Sequence, residues 1–512
     1  MTLLIGSILE NDAARLRTVA ERCLAAGADA VELRLDRLNT LDDTTIRWAG
    51  RLPAGRWIAT CRSAAEGGSS EAPVAERAAR LATLARRGAL IDFEYADWQQ
   101  SPEVRQQLQE ATGIAPGRLI LSHHDFSGWP ADPDGILKRI ATEPGAVPKL
   151  AWMPRSICDN FAALRLVRSS RPPAVVLCMG EAGLMSRVLA RKFGAFGTYC
   201  AATEGEPTAP GQATLATMLD VYRWRQIGPG TRFFGVIGWP VAHSMGPRLH
   251  GAAFERTGID GVYLPLAVDP SDRVLEDFLD GCLANEWLDA AGFSVTAPHK
   301  ARVLAYLGDR VDALARRIGA VNTLVVSEGQ YHGYNTDYSG ALDALTAGLG
   351  CERRDLHAMA FDLLGAGGAA RAVVAGLREY GADVTISNII PEDADRLAEE
   401  FRCGVTPWDH RMRGSGSILV NCTSIGMLPD VDASPMPPDS LGRYEAVFDV
   451  VYNPIETRLL RDAAASGCRT IGGVEMFVYQ AAEQLRLWTG LEPEVGLMRD
   501  LVVGELTRAQ HG

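Results

Sequence analysis

Two lysines in this chain sit in neighbourhoods that imply different chemistry. Lys149 lies in Val147-Pro148-Lys149-Leu150-Ala151-Trp152-Met153-Pro154, a short apolar run that would leave an amine inside a barrel. An apolar setting depresses a lysine's pKa and makes it a nucleophile towards carbonyl carbon. Lys300 ends Ser294-Val295-Thr296-Ala297-Pro298-His299-Lys300, and Asp337 follows in Tyr334-Asn335-Thr336-Asp337. A lysine paired with an aspartate suits proton transfer to a hydroxyl or carbonyl oxygen. The two are far apart in sequence, so their meeting is an expectation for the fold to meet.

The elements that must position Lys149 recur through residues 1–200. Short apolar or β-branched runs alternate with helix-like segments: Leu3–Ile8, Ala30–Leu35, Trp57–Cys61, Ala89–Glu94, Arg118–Ser122, Ala146–Ala151, Ala174–Met179 and Phe196–Cys200. Eight such βα units predict a small (β/α)8 barrel over residues 1–225. Reactive side chains then fall inside the strands or at their C-terminal ends, where such a barrel places its site: Glu32, Arg34 and Asp36 on one face, Arg62, Glu94, His124, Lys149, Arg187, and the Thr208–Gln212 stretch. A lone Arg or Glu is often only an ion-pair partner; convergence from six or more strands argues for a site. Lys149 would form a Schiff base with a ketone, acidifying the adjacent C–H. His124 is the candidate base and later acid, with Glu94 holding its tautomer. Arg34, Arg62 and Arg187 offer planar donors to a carboxylate and hydroxyls. The set predicts imine-assisted elimination of water. Of the adjacent His123 and His124, strand alternation lets only one face the barrel.

Beyond the joint Gln226-Ile227-Gly228-Pro229-Gly230-Thr231 comes a different design. A strand over 358–364 leads into Gly365-Ala366-Gly367-Gly368-Ala369-Ala370, a helical stretch to Tyr380, and a strand over Asp383–Ser387. This order is the context in which G-x-G-x-x-A reads as a dinucleotide-binding turn of a Rossmann-like lobe. Ser244, Thr296, Asn322 and Asn335 are short polar side chains that could bind ring hydroxyls, or simply cap helices and turns.

The composition bounds the function. The 512 residues carry a net charge of −12, 47% apolar and 22% charged residues, ordinary for a globular protein of more than one domain. The charge argues against nucleic-acid or membrane-surface binding. Ten cysteines without a C-x-x-C pair indicate neither a zinc site nor a disulfide framework, so no metal is expected. The N-terminus lacks a signal-peptide pattern and no apolar run would span a bilayer, which together predict a cytoplasmic protein. Oligomeric state is not legible.

Ordered motifs sharpen this. Glu32-Leu33-Arg34-Leu35-Asp36, Cys61-Arg62, His124-Asp125-Phe126, Lys149-Leu150-Ala151 with Met153-Pro154, Ser186-Arg187 and Ala209-Pro210-Gly211-Gln212 resemble type I 3-dehydroquinate dehydratase. The resemblance implies Lys149 as imine lysine, His124 as proton shuttle, Glu94 as its partner, Arg187 as carboxylate anchor, and Thr208 and Gln212 in a closing loop. Gly238-Trp239-Pro240-Val241-Ala242-His243-Ser244, Ser294–Lys300, Gly319-Ala320-Val321-Asn322-Thr323, Asn335-Thr336-Asp337, Asn421-Cys422-Thr423-Ser424-Ile425-Gly426-Met427 and Gln480-Ala481-Ala482 resemble the shikimate dehydrogenase family. That implies a substrate lobe over 232–340 completed by 475–512, a nucleotide lobe over 341–474, and hydride transfer between a nicotinamide and C3 of 3-dehydroshikimate with Lys300 and Asp337 managing the proton. Ser244, Thr296, Asn322, Asn335, Tyr452 and Gln480 are its expected substrate contacts; Gly365, Ala366, Gly367, Gly368, Ala369, Asn388, Thr423 and Gly473 its expected cofactor contacts. The fusion resembles plant-type bifunctional enzymes making shikimate from 3-dehydroquinate.

Two departures bear on specificity. Gly246 stands in His243-Ser244-Met245-Gly246-Pro247 where the family usually has a second serine, a pattern associated with quinate; the second half would then oxidise quinate to 3-dehydroquinate and feed the first. The Ser387–Asp393 loop has no arginine for a 2′-phosphate, while Glu392 and Asp393 would repel one. Either NAD or NADP is expected, with the loop tilting towards NAD. A non-catalytic binding module on retained folds and a generic lysine-imine aldolase are the rival classes.

Overall fold

The computed structural model describes residues 2–38, 40–203 and 209–511, with side chains to residue 508, so Thr208 lies outside the described residues. Two compact units form, one of Met1–Phe233 with Pro240–Ala242 and Asp260–Asp289, the other of Phe234–Trp239, His243–Ile259 and Ala290–Gly512. Among the described residues no helix is long and apolar enough to cross a membrane.

The first unit is built on eight parallel strands: β1 (Leu3–Ile8), β2 (Ala30–Arg34), β3 (Trp57–Thr60), β4 (Leu90–Glu94), β5 (Leu119–Asp125), β6 (Ala146–Trp152), β7 (Val175–Cys178) and β8 (Gly197–Ala201). Their order β7-β6-β5-β4-β3-β2-β1-β8 makes a near-closed barrel, with Phe196 N donating to Ala174 O (3.0 Å) beside the β7–β8 seam. The expected strands match within a few residues; β5 runs further, through both histidines to Asp125. One face of each strand fills the interior with Ile5, Ala30, Ile58, Leu90, Ile120, Val147, Ala151, Val175, Leu177 and Tyr199. The other packs under the helices, as Leu150, Trp152, Val176 and Cys178 do with Ala163 and Val167. This two-sided burial is why the strands read as nearly continuous apolar runs.

The first unit also takes in β10 (Gly261–Ala267), which follows β9 (Arg232–Gly238), and the helix Val274–Ala284. Phe161 stacks on Phe278 with ring centroids 5.8 Å apart. The buried Lys192 amine donates to Pro229 O and Thr231 O, both at 2.8 Å, and to Asp289 at 2.7 Å, tying down the Gly/Pro joint.

The second unit contains two sheets. In the first, β9 is followed in lateral order by β11 (Ala290–Val295), β12 (Thr323–Ser327) and β13 (Gln330–Tyr334). The β12–β13 hairpin turns through Glu328 and Gly329 at φ 51° and 71°, the left-handed pair a two-residue turn needs. The second sheet is wholly parallel: β14 (Ala360–Leu364), β15 (Asp383–Ser387), β16 (Gly404–Val405), β17 (Ile418–Asn421), β18 (Ala446–Asp449) and β19 (Arg469–Ile471), ordered β16-β15-β14-β17-β18-β19. Within this lobe that is the 3-2-1-4-5-6 order of doubly wound nucleotide-binding folds, whose ligand crevice opens where the order reverses, between β14 and β17.

The helices Asp337–Leu349 and Gly473–Thr489 pack closely because Gly340 lacks a side chain: a Cβ there would lie 2.9 Å from Met476 O and Gln480 N. Gly473 starts the second helix, and a Cβ there would lie 2.4 Å from Val450 O. Gly473→Ala should therefore destabilise this unit by about 1–3 kcal/mol through overpacking. Scanning calorimetry should show its melting transition lowered and that of the barrel unmoved.

Candidate functional site

The barrel mouth holds a cavity lined by Glu32, Arg34, Arg62, Glu66, Gly67, His124, Phe126, Lys149, Ala151, Leu177, Met179, Arg187, Tyr199, Ala209 and Gln212. Strand pairing sets Ser122 beside Lys149 across β5 and β6, and Thr60 beside Asp92 across β3 and β4. Lys149 Nζ donates to Asp92 Oδ2 at 2.6 Å and sits 4.0 Å from the Tyr199 ring centroid. Arg62 donates to the other Asp92 oxygen at 2.6 Å and to Ser122 Oγ at 2.7 Å, while Ser122 Oγ donates to Asp92 at 2.6 Å. The apolar surroundings expected for Lys149 are thus corrected. Its amine is buried against a carboxylate, because an ammonium this deep needs a counter-charge. Asp92 escaped the sequence reading, although it shares Glu94's face of β4 two residues earlier.

His124 Nδ1 lies 2.9 Å from Glu66 Oε2, which also accepts the His124 backbone N–H at 3.0 Å. This corrects the assignment of Glu94 as the histidine's partner. Glu94 is occupied elsewhere: its oxygens accept Arg77 Nη1 at 2.7 Å and Ser63 N at 2.8 Å. Glu66 stands four residues after Arg62 in a turn with no periodicity, so only that spacing signalled it. His123 is half-buried and does not line the cavity, as strand alternation predicts.

Electrostatics give these groups distinct states. Burial would raise the Asp92 carboxyl, but Arg62 and Lys149 outweigh it and hold it far below the usual carboxylate range. Burial, reinforced by Arg62 and Lys149, pushes His124 well below its ordinary value, so the imidazole is neutral and able to accept a proton. Burial lifts Glu66 to about 7 against the pull of Arg62.

Arg187 sits on the short helix Leu184–Val188, which Ser186 anchors by accepting Cys178 N at 2.9 Å and donating to Gly183 O at 2.8 Å. Its guanidinium is buried, and burial lowers it to about 10. Among the described residues Arg187 has no carboxylate partner, and its Nε has no hydrogen-bond acceptor. A buried cation without a counter-charge is chemically suited to an anionic ligand group. Arg34, by contrast, is spent bidentately on Asp36 (2.9 and 2.8 Å), and Glu32 accepts from Thr60 (2.8 Å) and Ser7. Gln212 reaches the cavity on a loop whose Pro210 carbonyl accepts Gly180 N at 3.0 Å.

In the second unit the expected pair meets. Lys300 and Asp337 each open a helix, and Lys300 Nζ donates to Asp337 Oδ2 at 2.5 Å. Asn322 Nδ2 donates to the other Asp337 oxygen at 2.9 Å, and Asn322 Oδ1 accepts Thr336 N at 2.8 Å and Thr323 Oγ1 at 2.7 Å. Gln484, absent from the sequence reading, donates to Thr323 Oγ1 at 3.1 Å and accepts Ser294 Oγ at 2.8 Å. Asn335 is a correction: its amide donates to Ala320 O and its oxygen accepts Tyr338 N, so it braces the turn into the Asp337 helix. Ser244 Oγ accepts the Gly246 amide at 3.1 Å. Thr296 is half-buried, Tyr452 stacks on Phe477 at 4.4 Å, and Gln480 donates to Phe477 O at 2.9 Å.

The glycine turn lies against this pair. A Cβ on Gly368 would lie 3.3 Å from Lys300 Cδ. Gly365 has φ +107°, and a Cβ there would meet the Cys422 carbonyl at 3.0 Å. Gly367 caps the helix Gly368–Glu379 without a side-chain hydrogen bond and with open space where its Cβ would be. Free N–H groups behind open space fit a pyrophosphate, with Ala366 and Ala369 too small to obstruct it. Thr423 hangs from Asn421 Oδ1 through its N–H (3.0 Å) and hydroxyl (2.7 Å). Asn388 Nδ2 donates to Ile390 O at 3.0 Å, leaving Ile389 and Ile390 exposed beside it.

Known proteins match these halves in the same order. The type I 3-dehydroquinase family matches residues 6–229, the shikimate dehydrogenase substrate-binding domain 236–324, and the shikimate 5′-dehydrogenase C-terminal domain 473–503. A bifunctional 3-dehydroquinate dehydratase/shikimate dehydrogenase of Arabidopsis thaliana is 37% identical, covering 96% of this chain and 82% of the relative. A shikimate dehydrogenase (NADP(+)) of Methanosarcina mazei is 42% identical over 53% of this chain and 98% of its own. A solved shikimate dehydrogenase in complex with NADP+ aligns with 54% of this chain and 96% of its own, at 36% identity and a TM-score of 0.50. With both halves matched and a 37% identical relative aligned over 96% of this chain and 82% of its own, the chain belongs to the bifunctional 3-dehydroquinate dehydratase/shikimate dehydrogenase family.

Proposed function

We propose that the barrel converts 3-dehydroquinate to 3-dehydroshikimate and that the second unit reduces this product to shikimate. The observation carrying the first step is Lys149 on Asp92 in a cavity also lined by His124 and by Arg187, which has no carboxylate partner among the described residues. Arg187 takes the substrate carboxylate. The Lys149 amine adds to the ring ketone and water leaves, forming an iminium beside Asp92. Neutral His124 removes a proton from the adjacent carbon, and the electron pair is held as an enamine. The imidazolium then returns its proton to the departing hydroxyl, the bond to oxygen breaks, and water hydrolyses the new iminium to release ketone and lysine. Glu66 holds Nδ1–H throughout, leaving Nε2 free for the transfers.

In the second unit a bound nicotinamide supplies the hydride. Lys300, steadied by Asp337, delivers the proton to the carbonyl oxygen, and Asn322 fixes Asp337. Borohydride added with 3-dehydroquinate should leave a covalent adduct on Lys149, visible by peptide mass spectrometry. 3-Dehydroquinate plus reduced nicotinamide should yield shikimate. Lys149→Ala should lose the adduct and the first step but still reduce supplied 3-dehydroshikimate; an unmodified Lys149 in the native chain would refute the mechanism.

For the cofactor, the Methanosarcina mazei relative carries NADP(+) in its name and the solved relative was in complex with NADP+, against the tilt towards NAD drawn from the loop. We propose that the chain uses NADP with weak discrimination over NAD, because no cation stands in the Asn388–Asp393 stretch and Arg396 is engaged with Asp393. An arginine–phosphate contact contributes about 1.5–3 kcal/mol, or roughly 10–100-fold. The native kcat/KM ratio should therefore stay within about tenfold of unity, and Ile389→Arg should raise it by at least that factor in favour of NADP. A native ratio far above it would show that other groups read the phosphate.

Gly246 supports a broader acid specificity. Its amide is engaged by Ser244 and it offers no hydroxyl to the ring. Quinate oxidation should be measurable beside shikimate oxidation, and Gly246→Ser should shift kcat/KM towards shikimate. An unchanged ratio would show that Gly246 does not set the choice of acid, and no quinate oxidation in the native chain would leave shikimate as its acid.

A further inference from the structure

Glu94, displaced from His124 by Glu66, is buried and fully engaged, which gives it a different part to play. The loop Arg62–Ser70 carries Glu66 to the histidine, and two carboxylates outside the loop hold it. Asp36 accepts Arg62 N at 3.2 Å and Ser69 N at 3.1 Å. Glu94, at the end of β4, accepts Ser63 N at 2.8 Å and lies 3.5 Å from Arg62 Nη1. Inside the loop, Ala64 N and Ser70 O close at 3.0 Å, Ser70 N and Arg62 O at 3.1 Å, and Gly68 N and Ser63 O at 2.9 Å. A Cβ on Gly68 would lie 2.2 Å from Arg62 O, so the chain is folded tightly on itself. Behind Glu94, Arg77 donates to it at 2.7 Å, reaches Cys61 O at 3.3 Å and pairs with Asp97. Arg77 is buried and does not line the cavity.

We propose that Glu94 and Arg77 form a positioning brace for the dehydratase: Glu94 fixes the Glu66 loop through Ser63, and Arg77 sets how much of Glu94's charge falls on Arg62. Arg62 is the shared cation. It lies 3.5 Å from Glu94, 3.9 Å from Glu66 and 2.6 Å from Asp92. Whatever draws Glu94 towards Arg62 weakens the hold of Arg62 on Glu66, and whatever neutralises Glu94 strengthens it. Glu66 is faced by Arg62 from its own loop, His124 from β5, and Asp92 and Glu94 from β4; Lys149 and Arg34 act on it through His124. The burial that raises Glu66 to about 7 places its ionisation where such changes alter rate. The inference rests on His124 and Glu66 acting as the proton shuttle and its holder.

The test is the pH dependence of dehydratase kcat/KM in four full-length chains: native, Glu66→Gln, Glu94→Gln and Arg77→Gln. The native rate should rise with pH through about 7 as Glu66 ionises. Glu66→Gln should abolish that rise. Glu94→Gln removes the competitor for Arg62, so the rise should move to lower pH by roughly half a unit or more. Arg77→Gln releases Glu94 towards Arg62, so the rise should move the opposite way. Nitrogen-15 shifts of the His124 ring give a second readout at a fixed pH near 7, with the Nδ1–H form gained in Glu94→Gln and partly lost in Arg77→Gln. A rise that stays in place in both, with only the melting temperature lowered, overturns the brace. A rise that survives Glu66→Gln overturns the shuttle itself.

Discussion

One buried carboxylate, Asp92, holds two cations at the centre of the barrel. Its oxygens take Arg62 and Lys149 at 2.6 Å each, and it is itself almost wholly removed from water. A lone ammonium at this depth would carry a large desolvation penalty, so the pairing is a condition for having a lysine there at all. It is also a condition for the chemistry. An ammonium and the iminium derived from it carry the same unit charge at nearly the same place, so the carboxylate stabilises both without reorganising. The remaining groups follow from that assignment. With Asp92 spent on Arg62 and Lys149, Arg187 lacks a carboxylate partner among the described residues.

The second unit uses the same economy with different parts. Asp337 divides its oxygens between Lys300 and the amide of Asn322, and Asn322 is locked by Thr336 and Thr323. Lys300, Asp337 and Gly368 each begin a helix, and Gly368 brings the nucleotide turn within van der Waals reach of the lysine. Helix N-termini favour negative charge, which suits both the Asp337 carboxylate and the phosphates the glycine turn would hold. The lysine and the glycine turn therefore meet through the starts of three separate helices.

How much of this the sequence carried depended on what kind of signal each residue left. The eight strands were readable because both faces are buried and each run is bounded by helix and turn. Lys149, His124, Lys300 and Asp337 were readable because they stand in ordered motifs. Glu94 was placed on the right strand and face and still given the wrong partner. Alternation gives direction, not contact, and Arg77 reaches it from a helix whose rotation periodicity alone does not fix. Glu66 left almost no trace, since a tight loop has no period to betray which side chain turns inward. Asp92 was within reach of the argument already made for Glu94, being two residues earlier on the same strand. Asn335 shows the converse: a short polar residue next to the reactive aspartate, whose bonds go to the backbone.

A common rule explains which residues resisted reading. In both units, turns that carry site residues are held by carboxylates with buried side chains. Asp36 pins the Glu66 loop through two backbone amides. Asp449, wholly buried and raised by that burial to about 6, takes Asn421, Val451 N and Thr457 at 2.9, 3.1 and 2.6 Å. It thereby fixes the turns that carry Thr423 and Tyr452. Such residues look like ordinary acids in a sequence, and several of their partners are backbone N–H groups, which every residue but proline possesses. A carboxylate bonded to backbone specifies the path of a loop, and a loop specifies where a reactive side chain points. The positioning is therefore written in contacts that residue identity alone does not encode, which is why the reactive pairs were legible and the braces behind them were not.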